Sequence, residues 1–254
     1  MTPRAAAVCA ACLALFGAPR AARACGAAYP GGPIMCTMDD APGHAGARLP
    51  TLARVGVSWS YTTTTILFGS ARRADLTRHT VFASSDVPLG AGFGLRFGAG
   101  GVVAGELTPT RAPQRGTASF GPGAGAYLGI AKTVVDETTY FPSLQLGVTV
   151  SGTRAATRGP TTGEAPSFTA FDARGSATLS KTFLRALVPY VAGRGFGGPV
   201  YYRYAGAKVT GTDLYKYQLA LGCSVALRPL RLDAFFEGVP LGERGLSAGL
   251  GMTF

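Results

Sequence analysis

From Thr51 onward, apolar side chains recur at every second position in stretches of roughly ten residues, separated by clusters of Gly, Pro, Asp and Arg. The clearest stretch is 215–227. Tyr215, Tyr217, Leu219, Leu221, Cys223, Val225 and Leu227 fall on one face, and Lys216, Gln218, Ala220, Gly222, Ser224 and Ala226 on the other. An extended chain points successive side chains to opposite sides. A period of two held this long therefore predicts a strand with one face in an apolar medium and the other in a polar or crowded interior. Leu246, Ala248, Leu250, Met252 and Phe254 repeat the pattern, as do Leu230, Leu232, Ala234 and Phe236. So do Leu144 to Val150, Phe93 to Phe97, Val55 to Tyr61 and the 168–182 stretch. Further strands are predicted near 77–87, 117–131 and 187–197, where glycine or proline blurs the period.

The count is about ten strands, with eight or twelve as alternatives. Short connections near Pro88–Gly90, Val135–Thr139, Phe183–Arg185 and Arg228–Pro229 alternate with longer ones near 62–76, 105–116, 153–166 and 198–211, and with a medium one at Gly238–Arg244. That alternation predicts a closed, antiparallel, up-and-down transmembrane β-barrel, all-β in class, with short turns and both termini on the periplasmic side. In this register Arg54, Arg96, Asp172, Arg174, Arg194, Lys216, Arg231, Asp233 and Glu237 project into the lumen, because charges on a strand face cannot rest in hydrocarbon.

Composition narrows the choice. Of 254 residues 47% are hydrophobic, yet no apolar run long enough for a membrane helix follows the N-terminus. The 37 glycines follow no triplet period, which excludes collagen, and they disfavour helix. Arg4, the apolar run Ala5–Phe16 and Ala22-Arg23-Ala24 have the layout of a secretory signal over residues 1–24. Residues 25–50 show no period and are expected to form an irregular periplasmic segment before the barrel at 51–254. Cleavage after Ala24 would leave Cys25 as a lipidation site or as one half of a Cys25–Cys36 disulfide. The disulfide is preferred, because Ala22 and Arg23 depart from a lipoprotein signal. Losing Arg4, Arg20 and Arg23 takes the formal charge from +11 to +8. No basic helix or aromatic–basic motif accompanies this charge, so it is not expected to mean nucleic acid.

The ending Gly245-Leu-Ser-Ala-Gly-Leu-Gly-Met-Thr-Phe254 resembles the C-terminal strand of bacterial outer-membrane β-barrel proteins. The resemblance implies that Leu250, Met252 and Phe254 are read by the barrel-assembly machinery. It names no family with a known activity.

Candidate chemistry is sparse. His79, with Asp75 and Ser84 or Ser85 near it in sequence, could build a hydrolytic site at the outer rim. With His44 the only other histidine, neither an enzyme nor a metal or cofactor is expected. About ten strands enclose little more than side chains. The lumen charges then form either a salt-bridged plug or a narrow pore favouring anions, and the plug is preferred. Arg72, Arg73, Arg78, Arg111, Arg115, Arg154, Arg158, Arg203 and Lys208 fall in the predicted outer loops. There they would meet outer-membrane lipid and the phosphates of lipopolysaccharide. The expected product is a monomeric outer-membrane barrel with a structural or surface-interaction role.

Overall fold

The computed structural model describes residues 24–26, 35–37, 47–48, 53–69, 72–110, 117–158, 167–184, 186–204, 207–227 and 230–254. The signal segment predicted over 1–24 lies almost wholly outside them. Three short strands, β1 (Ala24–Gly26), β2 (Met35–Thr37) and β3 (Ala47–Arg48), form a small antiparallel sheet. Cys25 stands directly opposite Cys36 in its ladder.

Twelve strand elements make the barrel wall: β4 (Arg54–Phe68), β5 (Arg72–Gly90), β6 (Phe93–Pro109), β7 (Ala118–Val135), β8 (Ser143–Arg158), β9 (Ser167–Ser180), β10 (Leu187–Gly197), β11 (Val200–Tyr204), β12 (Ala207–Asp213), β13 (Tyr217–Leu227), β14 (Leu232–Gly242) and β15 (Arg244–Thr253). The element β11 continues β10 past Gly198-Pro199, and β13 continues β12 past a bend at Leu214–Lys216, so the wall has ten strands. Each pairs antiparallel with the next, and β15 closes the ring on β4 from Arg244↔Thr63 to Thr253↔Arg54.

The wall does not keep ten strands along its whole height. The β14–β15 hairpin ends at Gly242, whose φ of 82° and close approach to the Tyr217 carbonyl admit no side chain. Beyond that tip β12 pairs directly with β4, through Gly211↔Phe68, Thr212↔Leu67 and Asp213↔Ile66. The end holding Arg54 and Phe254, the near end, is therefore ten-stranded, and the far end is eight-stranded.

Outward residues divide along the same line. In the near section Val57, Leu128, Val148, Leu221, Phe236 and Leu250 belong to an exposed apolar belt. One margin carries Trp59, Tyr61, Phe171, Tyr201, Tyr215 and Tyr217, and the other Tyr140, Phe141, Phe183 and Phe254. The 11 residues of β13, at roughly 3.3 Å each and tilted about 40°, rise about 28 Å, which matches an apolar band about 25 Å tall. A belt of this height between two aromatic girdles is the outer surface of a bilayer-spanning barrel.

In the far section the alternation inverts. Ile66, Phe68, Leu76, Val102, Leu107, Phe120, Phe168 and Tyr202 point inward and are buried together, while Thr63, Thr65, Asp75, Thr77, Arg154 and Thr169 point outward. Segments predicted as long loops at 62–76, 105–116, 153–166 and 198–211 are largely strand. The connections there are 69–71, 110–117, 159–166 and 205–206, against 91–92, 136–142, 181–186 and 228–231 at the near end. The predicted alternation of short and long connections is thus absent. Its apparent long loops arose because strands leaving the hydrocarbon lose their outward apolar face, so polar runs such as Thr62–Thr65 looked unstructured.

Candidate functional site

The barrel interior is the first place where a channel or a reaction centre could sit. Near its terminal end Arg54, fully buried, donates from Nε and Nη2 to the two oxygens of Asp233 at 3.0 and 2.7 Å, and from Nη1 to Asp86 at 3.0 Å. Arg96 donates to the same Asp86. Arg54 and Asp86, and Asp86 and Arg96, stand directly opposite one another on the neighbouring strands β4, β5 and β6. Asp233 on β14 reaches Arg54 over the intervening β15, so this network runs along the inside of the wall. The guanidinium of Arg54 lies where a Cβ on Gly251 would have to be, which gives that glycine a packing role. Bidentate pairing of planar guanidinium with carboxylate is the geometry that best offsets burial of both charges.

A second network lies toward the middle. Arg194 donates to Glu237 at 2.8 Å, and the Tyr190 hydroxyl donates to the same carboxylate at 3.0 Å. The Tyr190 ring occupies the space left by Gly222 across the β10–β13 ladder. Glu243, at the tip of the short hairpin, turns inward and accepts from Gln218 at 2.6 Å and from Arg174 and Arg78 at 3.2 Å each. Arg174 also bonds Asp172 and stacks over Phe196 at 4.2 Å. Between these groups a cavity of about 30 Å³, lined by Arg78, Thr80, Ser151, Asp172 and Arg174 among others, has room for a water or two.

Above this level the lumen is apolar. The rings of Phe120 and Phe168 meet edge to face at 5.0 Å, and Phe168–Tyr202 and Phe68–Tyr202 continue the contact at 6.4 and 6.2 Å. Asp213, inward on β12 and beyond the belt, donates nothing and accepts from Thr64. Burial and the neighbouring Glu243 push its carboxyl up to about 6.

Of the predicted lumen charges, Arg54, Arg96, Arg174, Arg194, Asp233 and Glu237 are buried inside, and Asp172 is inward and half-buried. Lys216 and Arg231 are not inside. Lys216 sits in the bend between β12 and β13 and is exposed, since the alternation is interrupted there. Arg231 is exposed at the 228–231 turn with a φ of 52°, one residue outside β14. Four inward groups escaped the sequence reading. Arg78 and Glu243 were assigned to connections, Asp213 fell between a predicted loop and the strand at 215–227, and Asp86 lies beside Pro88, where the period was blurred, although it shares the parity of Ser84.

Inward arginines (54, 78, 96, 174, 194) thus face at least as many inward carboxylates (86, 172, 213, 233, 237, 243) among the described residues. The expected excess of basic charge in the lumen is corrected accordingly.

The rim centre imagined around His79 does not assemble. His79 faces outward, tilted between Tyr61 at 5.0 Å and Trp59 at 5.9 Å, as a member of the aromatic girdle. Asp75 accepts from Thr65, and Ser84 points into the lumen toward the Gly56 carbonyl. Among the described residues no group of three or more His, Cys, Asp or Glu could hold a metal ion. His44, Arg111 and Arg115 lie outside the described residues. Leu250 and Met252 are outward on β15, and Phe254 follows them, donating its backbone N–H to Ala53. Cys223 is half-buried on the outward face of β13, its thiol directed to the Ser224 carbonyl at 3.7 Å.

No family model matches this chain, and no curated protein matches it. Solved barrels do resemble it in shape. The translocator domain of the autotransporter NalP from Neisseria meningitidis matches with a TM-score of 0.48 at 11% identity, over 81% of this chain and 89% of that one. The transport unit of the autotransporter AIDA-I from Escherichia coli gives 0.46 at 9%, over 85% and 92%. The outer membrane protein OprG from Pseudomonas aeruginosa gives 0.45 at 9%, over 84% and 98%. Likeness at this level assigns no activity.

Proposed function

We propose that this chain is a closed, non-conducting barrel of the Gram-negative outer membrane, whose far section stands outside the bilayer as a surface for contact. One observation carries this reading: two dissimilar seals lie in series along the lumen. Buried ion pairs line the near section and are tied across it where Glu243 accepts from both Arg78 and Arg174, and stacked rings fill the eight-stranded neck. A hydrated ion would have to break buried salt bridges and then enter an apolar plug, and each step is costly. The balanced lumen charge gives no support to an anion-favouring pore. The hydrolase alternative has less, with His79 packed among girdle rings.

Export through the N-terminal signal, handling by the barrel-assembly machinery and a monomeric state complete the proposal. A Cys25–Cys36 disulfide fits the ladder that sets the two residues opposite one another. The test is electrical. Purified protein reconstituted in planar bilayers should give no discrete conductance steps in potassium chloride, and repeated anion-biased steps from the unmodified protein would overturn the reading.

A further inference from the structure

The outward face of the far section is not uniform. On β8, β9, β11 and β12 the described outward side chains include Arg154, Arg158, Arg203 and Lys208 and no acid. Arg154, Thr169, Tyr201 and Thr210 form one row across these four strands, through the pairings Arg154↔Thr169, Tyr201↔Thr169 and Tyr201↔Thr210. In the next row Arg203 stands directly opposite Lys208. Like charges in that position lie about 5 Å apart at Cβ and oppose strand pairing. No carboxylate relieves them among the described residues.

Beside this pair the wall is interrupted. Pairing between the seventh and eighth wall strands stops at Gly195↔Tyr217 and resumes at Val200↔Gly211. The interruption leaves an open cleft of about 460 Å³, lined by Leu67, Gly197, Gly198, Pro199, Thr212 and Lys216. Lys216 is exposed there, without an acidic partner among the described residues. The cleft adjoins the aromatic margin of the belt, where Phe171 and Tyr201 meet edge to face at 6.4 Å and Tyr215 packs on Tyr217.

We infer that this face is a binding site for the phosphorylated headgroup of an outer-leaflet glycolipid. The inference rests on the proposal above that the far section points outward. A phosphate seated between Arg203 and Lys208 turns a repulsive cross-strand pair into a pair of charge-assisted donors, with Arg154 two strands from Arg203 on the same face. The cleft beside Lys216 accommodates the sugar. Acyl chains continue down the apolar belt past Phe171, so the position of the site beside hydrocarbon selects a lipid over a free anion.

The probe is a bis-phosphorylated glycolipid (lipid A) added to the detergent-solubilised full barrel, with retention read by native mass spectrometry. Its enzymatically dephosphorylated form serves as the comparison. The unmodified protein should retain the phosphorylated form and lose the dephosphorylated one. The double variant Arg203→Gln/Lys208→Gln should retain roughly ten- to a hundredfold less, with heat-modifiable gel mobility unchanged because both side chains are exposed. Should that pair fail to fold, Lys216→Gln alone should still weaken retention. Equal retention of both lipid forms, or retention unaffected by these substitutions in folded protein, would overturn the site. Conductance steps would strike the closed-barrel reading and leave lipid retention untouched, so the two failures are distinguishable.

Discussion

Within β5 alone, Val81 and Val87 point outward while Ser84 and Asp86 point into the lumen. A few residues further along, Leu76 points inward while Asp75 and Thr77 point out. The same strand thus serves two solvents. Its near part is built for hydrocarbon outside and an ionic interior, and its far part for a polar outside and an apolar core, as in a water-soluble barrel. Backbone pairing continues unbroken through the change, from Arg54↔Asp86 to Phe68↔Arg72 in the β4–β5 ladder. Hydrogen bonding is thus indifferent to the boundary, and side-chain chemistry alone marks where the bilayer ends.

The largest effect that could break this comparison comes from removing a lumen carboxylate. Asp86→Ala leaves two buried guanidinium groups sharing too few partners and should cost about 3–5 kcal/mol, measured by urea unfolding in lipid vesicles. Asp75→Ala, on the same strand but exposed in the far section, should change stability by less than about 0.5 kcal/mol. Equal costs would mean that the two sections do not differ in solvent.

Next in size, Leu221→Arg places a charge in the belt and should cost roughly 2–4 kcal/mol or block insertion. Thr169→Arg, outward in the far section, should insert and fold normally, as judged by heat-modifiable mobility. Smaller again, Gly222→Ala drives a methyl group into the Tyr190 ring and should cost about 1–3 kcal/mol in the same unfolding assay.

The smallest effect is a pH dependence. With its carboxyl at about 6, folded Asp213 holds its proton more tightly than the unfolded chain does. Its contribution to stability is therefore present at low pH and lost as pH rises through about 6. Asp213→Asn should flatten the unfolding midpoint between roughly pH 4 and 7, and an unchanged slope would show that the group does not titrate there.

How much of this was legible in the chain follows the same division. Where β13 crosses the belt, Leu221 against Ser224 announced both strand and face, because the outward medium demands hydrocarbon at every second residue. Arg54, Arg194 and Glu237 could be placed inside for the complementary reason. Past the belt the demand reverses, and Thr62–Thr65 with Arg72–Asp75 mimic a loop. Parity carried through from Ser58 would have put Ile66 and Phe68 inside.

Lys216 was misplaced because parity was carried across a bend that no residue pattern announces. Glu243 was missed because a hairpin that stops short of the rim, with its tip folded inward, has no alternation of its own to betray it. The basic face on β8, β9, β11 and β12 was visible only as scattered arginines, since the Arg203↔Lys208 opposition depends on register.

That truncated hairpin also sets the bore. Each wall strand adds about 4.8 Å to the circumference before tilt, so ending two of them partway narrows the mouth by roughly 10 Å of perimeter. Strand number is thereby graded with height, and the cylinder becomes a funnel. Lengthening β14 and β15 by a few residues, until they reached the rim, would give a uniform tube, and Phe68, Phe120, Phe168 and Tyr202 could no longer span it.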